Sequence, residues 1–157
     1  MKYVNEALSE QKKKQQSPGE DDKSILYNDL DTESSDIDKE YEINKQVFQK
    51  LDSLIKRDEL YLSADLSRED LVRMAHMNNT RFAKMIKENT GTNLSGYINE
   101  LRLNHAIHLL KEHPEYTLRA IAEASGINSM PTFHSLFKNK TGMTSSEFKK
   151  TQMDMKQ

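Results

Sequence analysis

The chain has 157 residues, of which 35% are hydrophobic and 31% charged, and its formal net charge is −2. It has no cysteine, which excludes a disulfide framework, a zinc–cysteine site and a cysteine nucleophile. No apolar run approaches the roughly 20 residues of a membrane helix, and the start of the chain lacks the apolar core of a signal peptide, so we expect a soluble chain.

Charge divides the chain into two parts. Residues 1–40 hold 6 lysines against 11 Asp and Glu, a net charge of −5, whereas residues 41–157 hold 17 Lys and Arg against 14 Asp and Glu, a net charge of +3. The first part has too few apolar residues to offset the entropy of ordering it. We therefore predict an acidic, disordered linker over residues 1–40. An alternative is that this linker docks weakly on another surface through its few apolar residues, which are Ile25, Leu26, Tyr27 and Leu30.

Helical spacing begins at Tyr41. The first apolar stripe comprises Ile43, Val47, Leu51, Leu54 and Ile55. Ser67 is then a good N-cap, and the short helix that it starts ends near Ala75, where a turn leads to a second helix. That helix ends before Gly91, a C-terminal glycine stop. The sequence predicts a first helix-turn-helix over about residues 67–91.

The longest helix is predicted over about residues 94–111. Thr117 caps the next short helix and Gly126 forms the turn after it, so a second helix-turn-helix is expected over about residues 117–142. A last short helix, which ends near Lys150, and a tail over residues 151–157 complete the chain. No segment shows the sustained two-residue alternation that is typical of strands.

The two helix-turn-helix segments repeat each other. Residues 71–79 align with residues 121–129, and Phe82 aligns with Phe133 beyond the turn. A repeat of this plan is more specific than a single unit. The sequence therefore predicts an all-α domain over residues 41–150, with about seven helices, in which two helix-turn-helix subdomains are joined by a long connecting helix.

The second helix of each unit is predicted to bury one face and to present the other outward. A helix presented in this way fits the major groove of DNA, and two of them on a rigid connector fit successive grooves about 34 Å apart. The candidate DNA-binding residues are Asn79, Thr80, Ala83, Lys84 and Lys87 in the first unit, and Ser129, Met130, Pro131, His134, Ser135 and Lys138 in the second.

The sequence resembles the DNA-binding domain of the AraC/XylS family of bacterial transcription regulators, over about residues 41–150. The residues that carry the resemblance are Ile121-Ala122-Glu123, Gly126, Asn128-Ser129, Thr132-Phe133, Phe137-Lys138, Thr141 to Thr144 and Glu147-Phe148, with Tyr97-Ile98-Asn99 and Arg102 in the connecting helix. The style is closest to the C-terminal effector domains of hybrid two-component regulators and membrane-anchored sensors, where such a domain follows a charged linker.

This resemblance implies a sequence-specific, double-stranded-DNA-binding domain of a transcription regulator rather than an enzyme. The implied partners are promoter DNA and RNA polymerase, with a sensor domain that lies N-terminal to this chain or is separate from it. The implied location is the cytoplasm, either free or as the cytoplasmic part of a membrane-anchored sensor. No cofactor, metal or small-molecule site is expected.

Several positions depart from the family pattern. The first turn carries His76 where glycine is usual, because the turn tends to require positive φ. Ile127 stands where an aromatic residue is usual, and Ser145 replaces the usual proline. Met130 and Ser135 lack the bidentate donors with which arginine reads guanine. We therefore expect base reading mainly from the first unit, and phosphate binding through Ser129 and Lys138 from the second.

Two other function classes are weighed against this interpretation. A helical protein-interaction module with degraded DNA readout is the alternative that Met130, Pro131 and Ser135 favour. A metal-dependent enzyme is the third, suggested by His105 and His108, which lie one helical turn apart. These histidines have no HExxH pattern and no acidic partner at metal-site spacing, so surface or packing roles are favoured.

Overall fold

The computed structural model describes the backbone of residues 20–157 and the side chains of residues 34–157. Predictions for residues 1–19 lie outside the described residues. The helices, in chain order, are α1 Glu20–Arg57, α2 Arg68–Ala75, α3 Asn79–Thr90, α4 Leu94–Glu112, α5 Leu118–Ala124, α6 Met130–Thr141 and α7 Ser145–Met155, with a short 3-10 helix at Leu60–Leu62. Over this described range there are seven α-helices and no strand, so the predicted all-α class is confirmed.

Helix α1 begins at Glu20, earlier than the start near Tyr41 that the sequence predicted. Residues 20–57 contain no proline or glycine, so nothing in the covalent backbone interrupts a helix there. The chain divides after Ile43 into two units. In the first unit, the side chains of residues 36–43 are exposed. The predicted linker boundary at residue 40 stays a prediction.

The first hydrophobic core joins α1, α2, α3 and the start of α4. Its buried residues are Leu51, Ile55, Leu71, Ala75, Phe82, Met85, Ile86, Tyr97 and Ile98. Tyr97 also donates a hydrogen bond from its hydroxyl to Asp52 Oδ1, at 2.5 Å. Burial, together with this bond, raises the pKa of Tyr97 well above its usual range. The first turns of α4 are thereby bound to α1.

A second core joins the rest of α4 to α5, α6 and α7. Its buried residues are Leu103, Ala106, Leu110, Ile121, Ala122, Ile127, Phe133 and Phe137, and Phe148 of α7 packs against them. The ring of Phe137 lies between those of Phe133 and Phe148, at centroid distances of 5.7 and 5.3 Å. Helix α4 contributes to both cores, so it is the shared element of two helix-turn-helix subdomains, as predicted.

Helix α7 ends at Met155 rather than near Lys150, so most of the predicted tail is helical. Lys149 of this helix and Lys156, its C-cap residue, each donate to a backbone carbonyl at or just after the end of α4. Lys149 Nζ donates to Tyr116 O at 2.7 Å, and Lys156 Nζ donates to Glu112 O at 2.5 Å. Both contacts are made by lysine side chains, so the apolar pattern from which the end of the helix was predicted does not include them. In the described part of the chain, no helix has the length and apolar character required to cross a membrane.

Candidate nucleic-acid interface

The first helix-turn-helix is formed by α2, a tight turn and α3. Ser67 caps α2 in a reciprocal box, because its hydroxyl accepts from the backbone N–H of Asp70 while the Asp70 carboxylate accepts from the backbone N–H of Ser67. These hydrogen bonds hold the pKa of Asp70 below its usual range. Asn78 caps α3 by accepting from the backbone N–H of Arg81 at 2.8 Å. Both helices therefore have defined starting points.

The turn between α2 and α3 bends at His76, which has φ 52° and ψ 43°. This left-handed conformation costs a residue with a Cβ roughly 1–2 kcal/mol relative to glycine. The backbone N–H of His76 donates to Arg73 O, and that of Met77 donates to Val72 O. The sequence-based inference that this turn requires positive φ is therefore confirmed, and histidine occupies it with its side chain exposed.

Helix α3 has the two faces that the sequence predicted. Phe82, Met85 and Ile86 are fully buried in the first core. The outward residues, all exposed, are Asn79, Thr80, Ala83, Lys84 and Lys87. Lys84 lies 3.9 Å from Glu88, and Lys87 Nζ donates to Gly91 O at 2.9 Å. Exposed contacts of this strength are exchanged readily for other partners, so both ammonium groups can reach an anion in solvent.

The second helix-turn-helix is formed by α5, its turn and α6. Thr117 caps α5 and Ser129 caps α6, each through a hydroxyl that accepts a backbone N–H. Gly126 occupies the turn with φ 79°. Pro131 lies in the first turn of α6, where its missing N–H has no intrahelical partner to lose. The helices of the two units span residues 68–90 and 118–141, and the domain bounds assigned from the sequence stay predictions.

Helix α6 presents a less polar outward face than α3. Four of its candidate residues are exposed, namely Pro131, His134, Ser135 and Lys138. Met130 is half-buried, because it packs against the second core beside the turn. His134 Nδ1 lies 2.8 Å from Ser145 Oγ, which is buried, so the ring is tied to the start of α7. Ser129 is exposed, but its hydroxyl already caps the helix.

Two arginines of the first unit, Arg68 and Arg81, were not predicted as site residues from the sequence. Arg68, the first residue of α2, donates to the backbone carbonyl of Asn79 and lies 5.8 Å from the Phe82 ring centroid. A cation in the first turn of a helix opposes the helix dipole, which is a signal that the sequence did offer. Arg81 of α3 donates through Nε to Asn44 Oδ1 at 2.9 Å, and Asn44 is buried. This second contact joins residues far apart in sequence.

Among the side chains that the structure describes, no group of three or more His, Asp or Glu is arranged to hold a metal ion. His105 packs edge-on against the Tyr61 ring, with centroids 6.2 Å apart. Burial lowers the pKa of His105, which favours the neutral ring expected of a packing residue.

Comparison with known proteins identifies the family to which this chain belongs. A family model described as a helix-turn-helix domain matches residues 71–151, slightly more than half of the chain. The chain therefore belongs to the AraC-type helix-turn-helix family. The resemblance drawn from the sequence is confirmed, and family membership supports DNA-binding transcription regulation as predicted. The roles of individual outward residues stay predictions.

Two curated relatives come from Bacillus subtilis (strain 168). The uncharacterized transcriptional regulatory protein YesN is 38% identical over 80 residues, which are 50% of this chain and 22% of YesN. The uncharacterized HTH-type transcriptional regulator YobQ is 31% identical over 83 residues, which are 53% of this chain and 34% of YobQ. The chain thus matches between about a fifth and a third of the length of these relatives.

Solved structures have the same architecture. A transcriptional regulator described as AraC-type, from Chromobacterium violaceum, is 26% identical, with a TM-score of 0.59 over 69% of this chain and 93% of that chain. The C-terminal domain of the two-component response regulator yesN from Fusobacterium nucleatum is 21% identical, with a TM-score of 0.58 over 66% of this chain and 98% of that chain. At this lower identity, the likeness supports the fold alone.

Proposed function

We propose that this AraC-type domain binds double-stranded promoter DNA in a sequence-dependent manner and serves as the DNA-binding part of a bacterial transcription regulator. The observation that carries the proposal is the pair of capped helices, α3 and α6, each with a buried aromatic face and an exposed outward face. A surface helix supported in this way can enter the major groove, where base edges present a readable pattern of donors and acceptors.

In this proposal, α3 is the main base-reading helix. Asn79 and Thr80 lie at its start, where side chains of a recognition helix reach base edges. An Asn carboxamide can bond both edge groups of adenine, and the exposed Lys84 can donate to guanine or to a phosphate. Arg68 holds the carbonyl of Asn79 and lies beside this end of the helix, so we add it as a phosphate contact.

Helix α6 serves mainly to anchor the DNA backbone. Met130 is half-buried and Ser135 offers one hydroxyl, so neither residue can read a guanine edge bidentately. Lys138 is exposed on its outward side, and Ser129 is exposed at the start of the helix, where the helix dipole favours an anion. Phosphate contacts of this kind position the protein without specifying sequence.

The regulator as a whole requires further partners. We propose RNA polymerase as the protein partner at promoters, and a sensor domain, N-terminal to this chain or separate from it, as the source of the signal. Because chromosomal DNA is the proposed ligand, the site of action is the cytoplasm, either free or as the inner part of a membrane-anchored sensor. The proposed mode of action is binding rather than catalysis.

The test is binding of the 157-residue chain to promoter fragments from its own genome at two salt concentrations. We expect sequence-dependent binding that weakens as salt rises, because each neutralised phosphate releases counterions. The double variant Lys84→Glu/Lys87→Glu should lose at least about 100-fold in affinity, because two phosphate or base contacts become repulsive. Lys111→Glu/Lys150→Glu applies the same charge change at exposed positions outside both outward faces and should lose much less. Binding that depends on neither salt nor sequence would overturn the proposal.

A helical protein-interaction module is the second candidate function. The observation that favours it is an apolar groove of about 290 Å³ between α1 and α2, where Met74 is exposed, together with the weakly polar face of α6. The groove is lined by Val47, Lys50, Leu51, Leu54, Met74, Ala75 and His76. Unchanged DNA affinity of the Lys84→Glu/Lys87→Glu variant would favour this function.

A further inference from the structure

Arg102 of α4 bonds the segment that connects α1 to α2. Its Nε donates to Tyr61 O at 2.6 Å, and its Nη2 donates to Ser63 O at 2.8 Å. The acceptors belong to the first subdomain, whereas Leu103, the residue that follows Arg102, is buried in the second core. The guanidinium therefore holds the first subdomain at the point of α4 where the second one begins.

Gly126, in the turn of the second helix-turn-helix, lies against the same segment. A Cβ on this glycine would stand 2.8 Å from Leu62 O, 2.9 Å from Tyr61 O and 3.0 Å from Arg102 Nε. Backbone carbonyls cannot move aside as the end of a flexible side chain can. Any residue larger than glycine would therefore force the turn away from the segment that connects α1 to α2. The turn of the second unit therefore touches the first subdomain directly. We call Tyr61–Ser63, Arg102 and Gly126 the junction.

The aligned position in the first unit shows that positive φ alone does not require this glycine. His76 occupies the equivalent turn with φ 52° and an exposed side chain, so a side chain is accommodated there. Gly126 has φ 79° but is buried. The two turns differ in what each one faces, which is solvent for His76 and the carbonyl groups of Tyr61 and Leu62 for Gly126.

We propose that Arg102 and Gly126 are positioning residues, which set the distance and angle between α3 and α6 and so select the spacing of the two DNA segments that the chain binds at once. This inference rests on the proposed function. A planar guanidinium suits the role because its rigid fork can bond two carbonyls simultaneously, whereas a lysine ammonium on a flexible stem cannot fix their geometry as well.

The first experiment measures binding to a set of duplexes in which the two recognised segments are moved apart or together by one and two base pairs. The segments are those selected from a random library by the wild-type chain. We expect the wild type to prefer one spacing. Arg102→Met should reduce that preference by about tenfold, within the range of coupling typical between two sites, while binding to a single segment is unchanged. Arg102→Lys should fall between the two.

Lys149→Met is the matched control. Lys149 also donates to a backbone carbonyl, that of Tyr116, but both residues lie in the second subdomain. The control variant therefore loses one cation and one such bond without touching the junction, and its spacing preference should equal that of the wild type. An Arg102→Met variant that weakens binding equally at every spacing would mean that Arg102 contacts phosphate, and the proposal would be overturned.

A second experiment needs no DNA, so it separates failure of this inference from failure of the proposed function. The chain has no cysteine, so spin labels can be placed at Ala83→Cys on α3 and Ser135→Cys on α6. The distance distribution between the labels should be narrow in the wild type, broader or shifted in Arg102→Met and Gly126→Ala, and unchanged in Lys149→Met. Identical distributions in all folded variants, Arg102→Lys included, would contradict the positioning role.

Discussion

The two helix-turn-helix units share one arrangement of helices but differ in their turns and in their outward faces. The first places a strained residue, His76, in its turn and carries two exposed lysines, Lys84 and Lys87, on its second helix. The second places glycine in its turn, while its outward face includes a half-buried Met130 and a His134 tied to Ser145. The two units therefore bury aligned phenylalanines, Phe82 and Phe133, while their turns and outward faces differ.

The largest expected effect comes from the aligned aromatic residues of the two cores. Phe82 and Phe133 are fully buried at equivalent positions, so Phe82→Ala and Phe133→Ala should each lower the free energy of unfolding by about 3–5 kcal/mol, through lost burial and the cavity that remains. Urea unfolding measures this. A loss below about 1 kcal/mol in either variant would show that its core does not support the recognition helix.

The turns should respond to substitution in opposite directions. Gly126→Ala introduces a Cβ within 3.0 Å of backbone oxygens, so it should cost about 1–3 kcal/mol. His76→Gly removes left-handed strain but adds chain entropy, so it should raise stability by at most about 1 kcal/mol. Thermal unfolding of the two variants beside the wild type checks the pair. Destabilisation of equal size in both would contradict the difference that we draw between the turns.

The reading faces should differ in specificity. Asn79→Ala should cost about 1–3 kcal/mol in binding free energy and relax the preference at one base position, because an edge contact is lost. Ser135→Ala, on the outward face of α6, should change the binding free energy by less than about 0.5 kcal/mol. Selection of binding sites by each variant gives both quantities. Greater loss of specificity in Ser135→Ala would reverse the assignment of the main reader.

The smallest effect on stability is expected at acid pH, where the carboxylates of the capping boxes at the starts of α2 and α7 become protonated. Hydrogen bonds at the helix starts lower the pKa of Asp70 and of Glu147. A depressed carboxyl pKa contributes stability above the unfolded-state value and loses it as pH falls through the folded-state value, so the loss begins below about pH 4. Asp70→Asn and Glu147→Gln should each flatten the fall of unfolding free energy with pH in that range. An unchanged slope in both variants would contradict this origin of the shift.

Much of the fold was open to prediction because local chemistry encodes it. The caps Ser67 and Thr117, the stop at Gly91 and the repeat of Phe82 at Phe133 place the helix ends without knowledge of tertiary contacts. The start of α1 at Glu20 was not predicted, because an acidic, weakly apolar composition is typical both of disorder and of an exposed helix.

The contacts that orient the helices could not be predicted from the sequence, and the reason is physical. Arg102 donates to carbonyls of Tyr61 and Ser63, and every residue has such an acceptor, so residue identity carries no signal. Asn44 and Arg81 pair across distant parts of the chain. The outward faces of α3 and α6, by contrast, follow from helical periodicity once their buried sides are recognised.

Hydroxyl-radical footprinting of the 157-residue chain on a selected binding site tests whether both helix-turn-helix units bind the duplex. Two helix-turn-helix units on one connecting helix predict two protected segments on the same face of the duplex, about 34 Å or one helical turn apart. Base-modification interference should be strong in one segment and weak in the other. A single protected segment, or protection that does not depend on DNA sequence, would contradict the account.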